Sequence, residues 1–255
     1  MFSWAALPAR IVVVGHRGSA ATAPENTLAS FSSAIAARAD AVELDVRLTE
    51  DNEVVVMHDA RLQRTTNGKG KVSESSFEYI RSLSAGMWFG EQFAEERVPT
   101  LDEVFQLVRG RVGVNVEFKQ EGTIPNLELL RRTLSIIKNH RAERYTMLSS
   151  FNHALIRHVR NYNRTIITGV LQHPFKPFYQ SPVQQTKRAG SQFFITSKKG
   201  VMKKTCLKLH TNNLCSGIYT VNSEKELAKM IRYGVDCIIS NNPAAIRRML
   251  QLYYV

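Results

Sequence analysis

Short β-branched runs alternate with stretches of helical period along this chain, and no other sequence feature restricts the fold as much. The runs are IVVV at 11–14, AVELDVRL at 41–48, EVVVMH at 53–58, VGVNVEF at 112–118 and YTMLSS at 145–150. They continue with TIITGVL at 165–171, QFFIT at 192–196, SGIYTV at 216–221 and VDCIIS at 235–240. Between them PENTLASFSSAIAARA aligns Leu28, Phe31 and Ile35 on one face, with Pro24 expected in the first helical turn. TLDEVFQLVRG offers Thr100 as N-cap, Glu103 at the capping-box position and Gly110 as a stop. IPNLELLRRTLSIIKNH, NHALIRHVRNYN and SEKELAKMIRYG read as helices in the same way.

Such alternation predicts a parallel sheet wrapped in helices. At 255 residues, with no G-x-G-x-x-G stretch, it favours an α/β fold of the closed (β/α)8 TIM barrel type over an open dinucleotide-binding sheet. The runs number one more than a closed barrel needs. Only TEDNE separates the second from the third, too little for a parallel crossover. A hairpin is therefore expected there, bringing His58 roughly opposite Asp45. Residues 60–99, rich in Gly, Ser, Thr and aromatics (Trp88, Phe89, Phe93), are too long for a plain loop and read as a small insertion able to cap a site. No linker or low-complexity segment divides the chain, so residues 1–255 are expected to form one domain.

Composition narrows the partners. The formal net charge is +12, which favours anions: phosphoesters, anionic lipid or nucleic acid. A merely solvated basic surface is the plainer reading. The densest cluster is Lys198, Lys199, Lys203, Lys204 and Lys208. Cys206, Cys215 and Cys237 form no C-x-x-C pair and fit reduced thiols in a cytoplasmic protein. The apolar MFSWAAL start is interrupted by Pro8 and Arg10, and it reads as a segment packed on the barrel bottom rather than a secretory signal.

In a β/α barrel the chemistry sits at the carboxyl ends of the strands. Those ends carry Gly15-His16-Arg17-Gly18, Glu43-x-Asp45, His58-Asp59 and Glu117-x-Lys119. Residues two apart on a strand share a face, so Glu43 points with Asp45 and Glu117 with Lys119. Three carboxylates together repel, and a divalent cation removes that conflict, with oxygen donors favouring Mg2+ or Ca2+. His16 and His58 are suited to proton transfer, and Arg17 and Lys119 to a phosphate. Each pair alone reads as a structural histidine, an exposed acidic face or an edge ion pair. Their recurrence at successive strand ends outweighs those readings and points to metal-assisted phosphodiester cleavage.

GHRGSAATAPENT, VELDVRLTEDNEVVVMHDARLQRTTNGKGKV, VPTLDEV, NVEFK, SSFN and YTVNSEKELAKMIRYGVDCIISNNP occur in this order. Together they resemble the glycerophosphodiester phosphodiesterase family, from Ile11 to about Met249. The resemblance implies a TIM barrel with an insertion after the third strand. It also implies metal-dependent hydrolysis of a small-molecule glycerophosphodiester to an alcohol and sn-glycerol 3-phosphate. It assigns His16 and His58 to the acid/base pair, and Glu43, Asp45 and Glu117 to a single Mg2+ or Ca2+. Arg17 and Lys119 fall on its phosphate-contacting positions, with Glu25 and Asn26 as supports of the loop under His16. Two motifs depart from the family. Tyr219-Thr220-Val221-Asn222 stands where W-T-V-N is common, and Ser240-Asn241-Asn242-Pro243 where T-D-x-P is common. Neither departure is expected to touch the metal or acid/base set.

Two rival functions stand beside this one. A lysophospholipase D-like cleavage of a lipid phosphodiester would use the same chemistry, with peripheral contact to anionic lipid through the basic surface and the apolar start. A non-catalytic anion-binding protein would need the basic surface alone and would have no use for the intact acid/base and carboxylate set. No nucleic-acid partner is expected, because the lysine cluster lacks interleaved stacking aromatics.

Overall fold

The computed structural model describes residues 2–120, 124–173 and 180–253. Its strands are β1 (Val12–Gly15), β2 (Ala41–Leu48), β3 (Val54–Val56), β4 (Gly113–Phe118), β5 (Thr146–Ser150), β6 (Ile167–Leu171), β7 (Phe193–Ser197), β8 (Cys215–Tyr219) and β9 (Cys237–Ser240). Every β-rich run of the sequence is a strand, to within a few residues at the ends. Parallel pairing passes from β1 through β9, β8, β7, β6, β5 and β4 to β2, and β2 pairs back onto β1, closing the ring. The surplus strand is β3. It lies outside the ring as the antiparallel hairpin partner of β2, pairing Val56 with Val46. The register differs from expectation by one residue: Met57, not His58, donates its N–H to the Asp45 carbonyl, at 2.9 Å.

The helices are α1 (Leu28–Ala36), α2 (Phe77–Ser82), α3 (Leu101–Val108), α4 (Leu127–Asn139), α5 (His153–Tyr162), α6 (Pro182–Arg188), α7 (Lys203–His210), α8 (Glu224–Tyr233) and α9 (Pro243–Gln251). The expected capping box opens α3, with Thr100 and Glu103 bonding reciprocally. Helix α1 starts later than Pro24. Thr27 is its N-cap, and the Thr27 hydroxyl also donates to the Pro24 carbonyl at 2.7 Å, so Pro24 shapes the loop before the helix.

Side-chain alternation along the strands sorts the chain into layers. Val42, Leu44, Val46, Val114 and Val116 face outward and pack under α1, α3 and α4 with Phe31, Val104, Phe105 and Leu130. Inward positions change character with height. The lower barrel is apolar, filled by Val12, Val14, Ala41, Met147, Phe193, Ile195 and Cys237. Higher on the same strands the inward set becomes Glu43, Asp45, Asn115, Glu117 and Ser149, all buried. Fold and site therefore share one set of strands, apolar below and ionisable above.

The N-terminal segment closes the lower end. Trp4 is buried, its indole N–H donates to the Val114 carbonyl at 3.2 Å, and its ring meets Phe2 and Phe193 edge-on at 5.0 and 5.7 Å. The segment between β3 and α3 builds its own apolar cluster from Val55, Met57, Leu62, Val72, Ile80, Leu83 and Val98. Trp4→Ala should cost about 3–5 kcal/mol, the usual range for emptying a buried Trp site. The urea midpoint reads this directly. A loss below about 1 kcal/mol, the scale of a peripheral substitution, would mean that Trp4 is no plug.

Candidate active site

The loop after β1 is built by two glycines. A Cβ on Gly15 would lie 2.3 Å from the Gly18 carbonyl oxygen, and one on Gly18, at φ +88°, would lie 2.4 Å from the Ser30 hydroxyl. The chain can thus fold back sharply against α1, which lifts His16 and Arg17 over the barrel axis. Arg17 itself sits at φ 52°, and its backbone N–H donates to Glu43 Oε2 at 2.9 Å.

Parallel pairing of β2 with β4 sets Asp45 beside Glu117 and Glu43 beside Asn115. Carboxylate oxygens of Glu43, Asp45 and Glu117 all lie within 4.8 Å of one another. Two cations face them. Lys119 Nζ pairs with Glu117 Oε1 and lies 3.1 Å from Asp45 Oδ1, while Arg17 Nε lies 3.4 Å from Asp45 Oδ2. Neither contact to Asp45 has hydrogen-bond geometry, and buried Asp45 Oδ1 and Arg17 Nε stay without a hydrogen bond. The cluster titrates as a strained set. Burial and the charges of Asp45 and Glu117 push Glu43 well up. Burial also raises Glu117, against the pull of Lys119. Burial would raise Asp45 too, but Lys119 and Arg17 overcome it and hold the carboxyl below the ordinary range. An unsatisfied carboxylate oxygen within an all-oxygen trio fits a hard divalent cation.

Each histidine is held from behind. His16 Nδ1 lies 2.6 Å from Asn241 Oδ1, which leaves Nε2 facing the cluster, 4.0 Å from Glu43 Oε2. Burial, and then the charge of Arg17, lower His16 to about 4. His58 Nδ1 lies 2.6 Å from Asp59 Oδ1, and burial lowers its pKa as well, against the pull of Asp45. The seven side chains singled out from sequence therefore meet at one end of the barrel. One expectation fails: the T-D-x-P departure does touch the acid/base set. Asn241 occupies the aspartate position of that motif and grips His16 through its amide. Asn222, from the other departing motif, holds Asn241 in turn, its Oδ1 accepting from the Asn241 N–H at 3.0 Å and from the Ser240 hydroxyl at 3.1 Å.

The supports were only partly foreseen. Asn26 Nδ2 donates to Asp45 Oδ2 at 2.8 Å, so it steadies the carboxylate cluster more than the loop under His16. Glu25 accepts from Arg17 at 2.7 Å and from Arg64 at 2.7 and 2.9 Å. Arg64 also donates to Asp59 at 2.5 and 3.0 Å. Arg64 belongs to the segment after β3. A chain Arg17–Glu25–Arg64–Asp59–His58 thus ties that segment to both cationic and imidazole members of the site. The signal for it was Arg64 inside the RLQRTTNG motif, but nothing in spacing shows that its guanidinium reaches Glu25.

Comparison with known proteins gives one answer. Residues 16–245 match the Glycerophosphoryl diester phosphodiesterase family. A glycerophosphodiester phosphodiesterase of Caldanaerobacter subterraneus subsp. tengcongensis is 34% identical over 248 residues, covering 95% of this chain and 98% of the relative. One from Bacillus altitudinis is 31% identical, covering 91% of this chain and 94% of that protein. Among solved structures, an Oleispira antarctica phosphodiesterase in complex with the product sn-glycerol-3-phosphate superposes with a TM-score of 0.89 at 26% identity. That match covers 98% of this chain and all of the other.

The raised pKa of Glu43 has a measurable consequence. The folded, metal-free protein holds a proton on Glu43 at a pH where a free carboxyl has lost it, and a cation must displace that proton. Divalent-ion affinity should therefore strengthen as pH rises through the elevated Glu43 pKa, with proton release at the lower end. Calorimetric titration with Mg2+ or Ca2+ in buffers of different ionisation enthalpy measures that release. Glu43→Gln should reduce it to the share released by Glu117, and binding with no proton release at any pH would contradict the coupled cluster.

Proposed function

Because this chain belongs to the glycerophosphoryl diester phosphodiesterase family, we propose that the seven residues at its barrel mouth carry out the family's reaction. That reaction is hydrolysis of a glycerophosphodiester to an alcohol and glycerol 3-phosphate. The carrying observation is the buried trio Glu43, Asp45 and Glu117 with two imidazoles held over it.

Glu43, Asp45 and Glu117 are the residues that would hold one divalent cation, and their oxygen donors favour Mg2+ or Ca2+. Such an ion, when bound, would supply Lewis-acid polarisation of the phosphate. Arg17 and Lys119 orient the phosphate oxygens, drawn from their present pairing with Glu25 and the carboxylates. His16 is the general base. Its low pKa keeps it neutral at pH 7, and Asn241 accepts the Nδ1 proton so that the Nε2 lone pair faces the cluster. His58 is the general acid. Burial lowers its pKa, the charge of Asp45 and the Asp59 carboxylate at Nδ1 offset part of that shift, and the imidazolium they support gives a proton to the oxygen of the departing alcohol.

We read residues 1–255 as a single barrel unit, with the segment of about 60–99 packed over the His58 side. No described helix is long and apolar enough to cross a membrane. A cytoplasmic setting is supported by the free thiols of Cys206, Cys215 and Cys237.

Release of glycerol 3-phosphate from glycerophosphocholine tests this reading. Turnover should stop in EDTA and return with Mg2+ or Ca2+. His16→Ala and His58→Ala should each lower kcat/KM by about 10²–10⁴-fold while the circular dichroism spectrum stays native. Undiminished turnover in either folded variant would remove that histidine from the chemistry. A further variant tests the assignment of the base. Asn241→Asp places an anion beside the imidazole, favours its protonated form and should move the acidic limb of the kcat/KM profile to higher pH. An unmoved limb would show that His16 is not the group titrating there.

A further inference from the structure

We propose that the barrel mouth docks face-on against an anionic lipid bilayer. The apolar N-terminal segment cannot supply such a contact, since Trp4 is buried in the lower barrel. Exposed large apolar side chains occur instead on connections that follow the carboxyl ends of ring strands, and on the segment after the antiparallel β3. Met87 and Trp88 lie between β3 and α3, Ile124 between β4 and α4, Phe151 between β5 and α5, and Met202 between β7 and α7. Ile124 is 82% exposed and Trp88 43% exposed. The stretch bearing Trp88 is tied to the mouth end of α1: the Ala29 N–H donates to Glu96 Oε2 at 3.2 Å, and the Ala85 N–H to the Glu96 carbonyl at 2.7 Å. In the ring, β7 lies across from β2 and its partner β3. Apolar tips therefore flank the opening on opposite sides, as a surface that meets a plane requires.

Charge selects the occupant. Met202 sits within SKKGVMKKT, where Lys199, Lys203 and Lys204 are exposed and make no ion pair among the described residues. Lys203 and Lys204 open α7, whose first turn has no acidic residue and no side-chain cap. Cations at a helix N-terminus oppose the helix dipole, a cost that an anionic surface offsets. Exposed acidic residues gather on the Trp88 side, Glu50 and Asp51 in the β2–β3 turn with Glu91 and Glu95, and so leave the attraction to the β7–α7 corner, with Trp88 as an interfacial aromatic. An anionic bilayer meets both demands, apolar tips and unpaired lysines.

The chain's two tryptophans make the test site-resolved, since Trp4 lies in the lower barrel and Trp88 beside the mouth. The full chain would be sedimented with phosphatidylglycerol/phosphatidylcholine vesicles or pure phosphatidylcholine vesicles, each with brominated acyl chains that quench nearby indoles. Binding should require phosphatidylglycerol, weaken in high salt and quench the emission, and Trp88→Phe should remove the quenching. Each lysine near an anionic surface is worth roughly fivefold in partition, so Lys203→Glu with Lys204→Glu should weaken binding at least tenfold. Leu252→Asp, on the far side, should bind as wild type. None of these variants touches the proposed catalytic residues, so glycerophosphocholine turnover without vesicles should be unaltered. This separates failure of docking from failure of the phosphodiesterase reading. Absence of sedimentation, sedimentation without quenching, or full binding by the double lysine variant would each overturn the proposal.

Discussion

Three carboxylates on two neighbouring strands, buried and within 4.8 Å of one another, are the constraint around which the upper half of this molecule is arranged. Pleat parity and parallel register put them there: the alternation that sends Val42, Leu44 and Val46 into the helix layer sends Glu43 and Asp45 inward. Such a cluster is costly, because burial and mutual repulsion both disfavour the charged forms. Arg17 and Lys119 answer part of that charge. The remainder shows in the opposite shifts of Glu43 and Asp45 and in an Asp45 oxygen with no hydrogen bond. The fold tolerates this because the lower barrel, plugged by Trp4, and the surrounding helices bury a continuous apolar layer.

The histidines depend on distant parts of the chain. His16 follows β1, yet its rear nitrogen is held by Asn241 after β9, and Asn241 by Asn222 after β8. His58 sits beyond the outlying strand β3, and its partner Asp59 is fixed by Arg64 from the adjoining segment. Barrel closure between β1 and β9 is therefore what brings the first and last motifs together. An amide behind one imidazole and a carboxylate behind the other make the pair unequal, which is the physical basis for giving them different proton-transfer roles.

Most of the fold was legible because strand signals here are local. β-branched runs bounded by turn residues marked β1 to β9, and the five residues between Leu48 and Val54 forced the β2–β3 hairpin. The carboxylate trio followed from i, i+2 parity together with the placement of both strands' carboxyl ends at one barrel mouth. What escaped was non-local or lacked a local signal. Pro24 looked like a helix start, but Thr27 offered a hydroxyl to the first turn and took the cap. Helix α7 begins on lysines without a side-chain cap, so no start signal marked it. Asn241 was visible as a departure from a family motif, yet its contact with His16 spans the whole chain. No spacing rule reports such a contact, nor the reach of Arg64 to Glu25.

The central claim is that the trio, once its charge is relieved by a cation, makes the histidines productive. One experiment reads both sides of that claim. Metal-stripped protein would be titrated with Mn2+, with bound ion counted by electron paramagnetic resonance. Glycerol 3-phosphate formation from glycerophosphocholine would be followed in the same samples. The rate should rise in proportion to occupancy and level off at about one ion per chain, as a single three-carboxylate site requires. Turnover that ignores occupancy, or a filled site with no turnover, would contradict the account.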